Sequence, residues 1–402
     1  MLRSVAAAPL LGAAGSMRWL PHGDSRCLVV LELDGGNDGL NTILPLEDPA
    51  WARARPQLAG VRRGAHRLAG GFGLHPAMSG LHGLMRDGLA AVVHGVGFAG
   101  SSRSHFHNRD VWHTADPSFR ELRADSTGWL GRAADLLATG GAAVPGLSVG
   151  SLSVPLVLKA KEVVVPGLRR IEDYRVLVSP GPDAARRREQ LIALATGEGE
   201  GRKGSDGLRS FLCGVARTAA DSSEALHTAL ARYRPKARYP ATALGRKLQL
   251  LARIVICGFG TRLFHVNFSG FDTHAGQLAT HEALLRQLSE AVTALVRDLV
   301  AHRMADRVLG MVPSEFGRRV AENRSGGTDH GDAGPVLWFG GALRPGLHGA
   351  HPSLTSLRDG DLVPTTDFRG LYGAALGFLG LDAKPVLGDE FLLAPGVNPV
   401  RA

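Results

Sequence analysis

Cysteine is scarce in this chain: three in 402 residues, at positions 27, 213 and 257, with no C-x-x-C pair. That excludes a disulfide framework and a thiolate zinc cluster. Lysine is scarce too, six of 46 basic residues, so the formal charge of +9 rests on arginines scattered along the chain. The densest basic runs, 169–170 and 186–188, carry no interleaved aromatics, which argues against a nucleic-acid partner. An anionic substrate or an anionic envelope polymer fits the charge instead. No run of 18 uninterrupted apolar residues exists, so no membrane span is expected. There is no internal repeat, and the 53 glycines follow no collagen period. What is present is a globular composition. Apolar residues make up 44% and charged residues 21%, enough for a sizeable core and too apolar for a disordered chain.

The first 15 residues have one arginine and then about a dozen small apolar residues, the texture of an export-signal core. Its weak hydrophobicity suits the twin-arginine route, although the paired arginines are missing from this start. Residues 1–25 are therefore expected outside the fold, and the protein is expected to be exported, periplasmic or extracellular. The alternative is a frayed Ala-rich helix.

Short apolar runs recur, each ending in a polar, Gly-rich turn. Strands are expected at 27–33, 89–96, 262–268, 307–312 and 335–340, and helices at 79–85, 208–232, 242–258 and 282–302. This order predicts an α/β fold, a mostly parallel central sheet with helices on both faces. Residues 145–178 read as β-rich, with alternation around 154–165, and 197–207 as a Gly-rich surface loop or linker. One domain over 26–400 is expected, with 145–240 as an insertion or cap.

Four polar clusters follow the C-terminal ends of expected strands, the edge where open parallel sheets bind ligands. Asp272 and His274 are two apart, so in extended chain both face one ion; the alternative is a helix-capping Asp beside a solvated His. Asp329 and His330 are adjacent and flanked by glycines that permit a tight turn. Glu315 either ligates a metal or pairs with Arg318. Asp34 and Asp38 flank a glycine turn, where acids hold metals or cap helices. Ser102, Ser104, His105 and His107 open a segment where a hydroxyl at a helix N-terminus is placed to attack an anionic ester. Carboxylates and imidazoles without thiolates suit Zn or Mn. Two ions would clamp the attacking and leaving oxygens of a phosphoryl or sulfuryl group.

Seven ordered strings then resemble one family. They are GGNDGLNT (35–42), SRSHF (102–106), STGWLGR (126–132), FDTH (271–274), SEFGRR (314–319), GTDHG (327–331) and TTDFR (365–369). Together they are similar to the DUF1501 family, over about residues 27–380. That resemblance implies the alkaline-phosphatase-like superfamily, with sulfatases and cofactor-independent phosphoglycerate mutases, but no defined reaction. It implies Asp272 and His274 as ligands of one metal, Asp329 and His330 as the pair of another with Glu315 nearby, and Asp38 as the first-strand ligand. Ser104 becomes the nucleophile candidate, with His105 orienting it or binding a metal. Two departures stand out. The first Asp and His are two apart rather than four, and only His348 offers itself as the superfamily's late His ligand.

The expectation is an exported metal-dependent hydrolase of phosphate or sulfate esters, using one or two Zn or Mn ions. Two alternatives remain: a non-catalytic envelope binding protein with a degenerate site, and a mutase or transferase of the same superfamily.

Overall fold

The computed structural model describes residues 26–170 except 141 and 143, residues 183 and 186, and residues 233–401 except 390, 392, 394 and 395. The chain divides into two compact units. The larger, Asp24–Arg175 with His227–Ala402, carries every element below; the other, Met1–Gly23 with Val176–Leu226, lies outside the described residues apart from Asp183 and Arg186. The expected export signal, the linker at 197–207 and the helix at 208–232 therefore fall outside them.

The strands in chain order are β1 (Cys27–Asp34), β2 (Ile43–Pro45), β3 (His66–Arg67), β4 (Phe72–Leu74), β5 (Ala90–Gly97), β6 (Gly146–Val149), β7 (Gly167–Leu168), β8 (Leu263–Ser269), β9 (Val308–Val312), β10 (Arg318–Glu322), β11 (Thr328–His330), β12 (Gly334–Gly340), β13 (Gly346–His348), β14 (Leu357–Arg358), β15 (Asp361–Leu362) and β16 (Thr366–Asp367). The helices are α1 (Pro49–Ala54), α2 (Ser79–Arg86), α3 (His105–Thr114), α4 (Trp129–Thr139), α5 (Ala243–Cys257), α6 (Gln277–Ala301), α7 (Phe368–Leu379) and α8 (Lys384–Leu387).

A nine-stranded sheet runs β13-β5-β12-β9-β1-β8-β6-β7, with β16 also paired to β5. Every pairing in it is parallel except those of β12, which runs against both β5 and β9. The mostly parallel sheet expected from the sequence is the one observed. Its central strand β1 is buried along its length up to Asp34, which is why it reads as a nearly unbroken apolar run. Leu28, Val30 and Glu32 alternate onto one face of it. Leu28 and Val30 join the core formed with Trp112 of α3, Trp129 of α4 and Phe368 of α7. Elsewhere α5 and α6 pack on one another, and α2 packs on α6.

The stretch expected to be an insertion is different in kind. β6 and β7 extend the main sheet beyond β8, so 146–168 belong to its edge. The alternation around 154–165 does not make a strand; Leu156–Leu158 form a 3-10 turn whose buried Val157 and Leu158 pack into the core. Alternating apolar residues that plug a core from a loop look like a strand in sequence.

The segment from residue 233 is tied down at a buried carboxyl group. Asp298 of α6 is fully buried. It accepts from the Tyr233 hydroxyl, from the Tyr239 hydroxyl at 3.0 Å and from the Lys236 N–H at 2.8 Å. Asp298→Ala leaves three donors without their acceptor, each worth about 1–3 kcal/mol when unpaired. Urea unfolding of that variant is expected to show a loss of about 3 kcal/mol or more, and a loss under about 1 kcal/mol would refute the clamp.

Candidate functional site

The loops after β1, β8 and β9 and the start of α3 after β5 lie at one edge of the sheet, because β5 and β9 both run against β12 and so share a direction. The first of these loops is Gly35-Gly36, both at positive φ, +123° and +71°. A Cβ on Gly35 would lie 2.3 Å from the Asp272 nitrogen, and one on Gly36 2.2 Å from the Phe316 ring. Only glycine lets the two N–H groups turn together. They donate to Glu315, Gly35 to Oε1 at 2.9 Å and Gly36 to Oε2 at 3.1 Å. Glu315 in turn holds His105, with Nδ1 2.7 Å from Oε1. That contact raises the imidazole's pKa above its usual value, against the opposing effect of burial.

Two further imidazoles are held the same way. His330 Nδ1 lies 2.8 Å from the Arg103 carbonyl, and His274 Nδ1 3.4 Å from Asp329 Oδ1. A ring that donates through Nδ1 keeps its lone pair on Nε2, the arrangement a cation bound at Nε2 would require. The Nε2 atoms converge. Those of His274 and His330 are 2.8 Å apart and lie 3.0 and 3.2 Å from Asp272 Oδ1. His105 Nε2 makes no hydrogen bond although it is shielded from solvent, and Asp272 Oδ2 is 3.5 Å from it. Ligand atoms of His105, Asp272 and His330 all fall within 4.8 Å of one another.

Asp272 is kept anionic. Burial works against its charge, but Arg318, His330 and His274 outweigh it and hold the carboxyl at about 2. Arg318 is fully buried and donates to Asp272 Oδ1 at 2.8 Å. Burial lowers the pKa of His330, which favours the neutral, ligating ring. Asp272 and His274 are about half exposed, so the cluster opens to solvent on one side.

The donor set fits a divalent cation. Imidazoles and a carboxylate suit Zn or Mn, and the buried His105 Nε2 has no hydrogen-bond partner to compete with such an ion. Carboxylate or carbonyl partners on each Nδ1 are the usual outer support of ligating histidines.

Of the residues expected from sequence, Asp272, His274 and His330 are brought together, and His105 joins them as a ligand candidate rather than a helper to Ser104. Asp329 is half exposed and holds His274, with Asn323 donating to it at 3.0 Å. Glu315 neither pairs with Arg318 nor faces the convergence; all of its described partners are donors that fix it or that it fixes. Asp38 is drawn elsewhere. It is fully buried, paired with Arg55 at 2.6 Å, and accepts from Gln277. A guanidinium on both oxygens leaves no room for a cation. Gln277 also accepts from Thr273 and Thr328, so Asp38 braces the turn that carries Asp272 and the strand β11 that carries His330. Ser104 is the N-cap residue of α3, exposed, with no hydrogen bond from its hydroxyl to a described residue. His348, on β13, bonds the Arg344 carbonyl and does not join the cluster.

The family model described as "Protein of unknown function (DUF1501)" matches residues 25–389. The chain belongs to the DUF1501 family. No curated protein matches it. Among solved structures this DUF1501 chain is similar to a protein in the alkaline phosphatase superfamily from Vibrio parahaemolyticus, at 12% identity over 94% of this chain and 72% of that one, TM-score 0.39. It is also similar to a sulfatase from Pseudoalteromonas sp., at 11% identity over 94% and 74%, TM-score 0.40. A third is a phosphonate monoester hydrolase from Silicibacter pomeroyi, at 11% identity over 93% and 76%, TM-score 0.42.

Two features of the DUF1501 chain were not foreseen. One is Arg318 as the partner of Asp272. The other is a buried group, Glu32 of β1, His113 of α3 and His265 of β8. A signal for it exists: His105, Arg109 and His113 recur every four residues, one face of a helix.

The Asp38–Arg55 pair predicts a pH-dependent loss. Burial opposes the Asp38 charge, but Arg55 and His281 lower its pKa below the ordinary value. A depressed carboxyl pKa stabilises the fold above the ordinary value of about 3.9 and ceases to as pH falls through the folded value. Asp38→Asn is expected to cost about 3–5 kcal/mol at pH 7. Urea unfolding at pH 7 and pH 3 should show the gap between wild type and variant shrinking in acid; a constant gap would contradict it.

Proposed function

We propose that this protein is an exported metal-dependent enzyme that hydrolyses phosphate or sulfate esters, or transfers their acid group, with Ser104 as nucleophile. The observation that carries the reading is the convergence of three imidazole Nε2 atoms on Asp272 beside the start of α3, whose N-cap is Ser104. His105, Asp272, His274 and His330 would hold the cation. When bound, it would lower the pKa of an oxygen nucleophile and polarise a phosphoryl or sulfuryl oxygen.

The chain's own part follows from α3. The N–H groups of its first turn have no intrahelical acceptor, and the helix dipole adds a positive end, so a tetrahedral anion is favoured there. Arg103 lies next to it at φ +59°, a conformation that non-glycine residues adopt at a cost. That backbone turn presents its carbonyl to His330 and starts α3 with Ser104 outward. The Ser104 oxygen forms the bond to phosphorus or sulfur as the bond to the leaving alkoxide breaks, and the proton that Ser104 releases is balanced by the one the alkoxide takes up to leave as the alcohol. Water then releases the acid in a hydrolase, or an acceptor hydroxyl takes the group in a transferase.

Two substitutions separate the roles. In assays on phosphate mono- and diesters and sulfate esters with Zn or Mn, Ser104→Ala should lose activity on the order of 10³-fold or more. Its metal content should match wild type. Glu315→Gln should instead weaken metal affinity by about 10–100-fold, because it releases the support of His105. Ester turnover undiminished by Ser104→Ala would refute the nucleophile. A metal-loaded wild type without turnover on any of these esters would favour the non-catalytic binding protein.

A further inference from the structure

The group at the other end of α3 stands apart from this site. His105 and His113 are eight residues apart on one helix, about 12 Å along its axis, with the Arg109–Asp34 pair between them. Glu32 stands in line with Leu28 and Val30 on the sheet face that α3 covers, and His265 comes from the neighbouring strand β8. All three side chains are buried.

Two aspects of the geometry distinguish this group from a buried ion pair. Both imidazoles present Nε2 to one carboxylate: His265 Nε2 is 2.7 Å from Glu32 Oε2 and His113 Nε2 3.0 Å from the same oxygen, with their rings at 87°. Two lone pairs serving one ion must converge, and these two nitrogens do. The second oxygen, Oε1, is also 3.1 Å from His113 Nε2, so the carboxylate turns its open edge toward the rings. Two nitrogens and a bidentate carboxylate make a four-coordinate O₂N₂ set of the kind that zinc accepts. A bare ion pair in this buried position would repay little of its desolvation.

We propose that Glu32, His113 and His265 form a second metal site, a structural one for a zinc-class divalent cation that ties β1 and β8 to the C-terminal half of α3. It does not depend on the reading of the solvent-facing cluster. Being buried, it should load during folding and release its ion slowly.

The test uses the whole chain purified with zinc. Elemental analysis should find two equivalents in wild type, one in His330→Ala and one in Glu32→Gln. Brief chelator treatment of wild type should remove one equivalent and leave the other. Because Glu32→Gln risks misfolding, the deciding measurement is on wild-type crystals: anomalous scattering at the zinc edge should give a peak bounded by Glu32, His113 and His265. No peak there in zinc-saturated crystals overturns the proposal, whatever the outer cluster holds. A peak there and none at the outer cluster sustains it while removing the basis of the proposed ester chemistry.

Discussion

One buried guanidinium organises the solvent-facing site. Arg318 donates to the carbonyls of Gly35, Gly36, Phe271 and Thr328 and to the Asp272 carboxylate. Those groups belong to three separate segments, the turn after β1, the turn after β8 and the start of β11. Each of these segments carries or supports a ligand candidate. An arginine can do this because its five donors sit in one rigid plane and stay charged at any physiological pH. With the charge placed there, Asp272 must be anionic and must face it. The imidazoles of His274 and His330 then gather around the carboxylate.

From that centre the fold's contribution becomes clear. The parallel strands bring their C-terminal turns to one edge, and α3 runs back from that edge over β1. Its inward face presents His105, Arg109 and His113, which meet Glu315, Asp34 and Glu32 in turn. Each rung joins a cation or imidazole to a carboxylate, so α3 is fixed along its length by polar contacts as well as by its apolar residues. Ser104 and the free N–H groups of the first turn inherit their position from this ladder.

Much of this was legible in the sequence, for a physical reason. Strands buried on both faces are apolar without interruption, so β1, β5, β8, β9 and β12 stand out, and the polar turns after β1, β5, β8 and β9, which share a direction, mark one edge. Asp272 and His274 drew notice because they lie in the turn after β8, and His330 because it ends the Gly-flanked β11. Chemical type alone did not tell a ligand from its support. Asp38, Glu315 and Asp329 are acids in the same turns, yet Asp38 is taken by Arg55, Glu315 by the Gly35-Gly36 N–H groups and His105, and Asp329 by His274. What each carboxylate faces depends on which cation reaches it, and Arg55 and Arg318 stand 17 and 46 positions from Asp38 and Asp272, outside the strings that carry them. Glu32 was hidden differently, as a single polar residue inside an apolar strand whose partners are 81 and 233 positions away.

The central claim is that three imidazoles present Nε2 lone pairs to one ion while their Nδ1 protons are held by Glu315, the Arg103 carbonyl and Asp329. Loading the ¹⁵N-histidine-labelled protein with ¹¹³Cd and measuring cadmium–nitrogen coupling tests it most directly. The account predicts coupling from one cadmium to Nε2 of His105, His274 and His330. Coupling through their Nδ1 atoms, or none to any of the three in the cadmium-saturated protein, would contradict it.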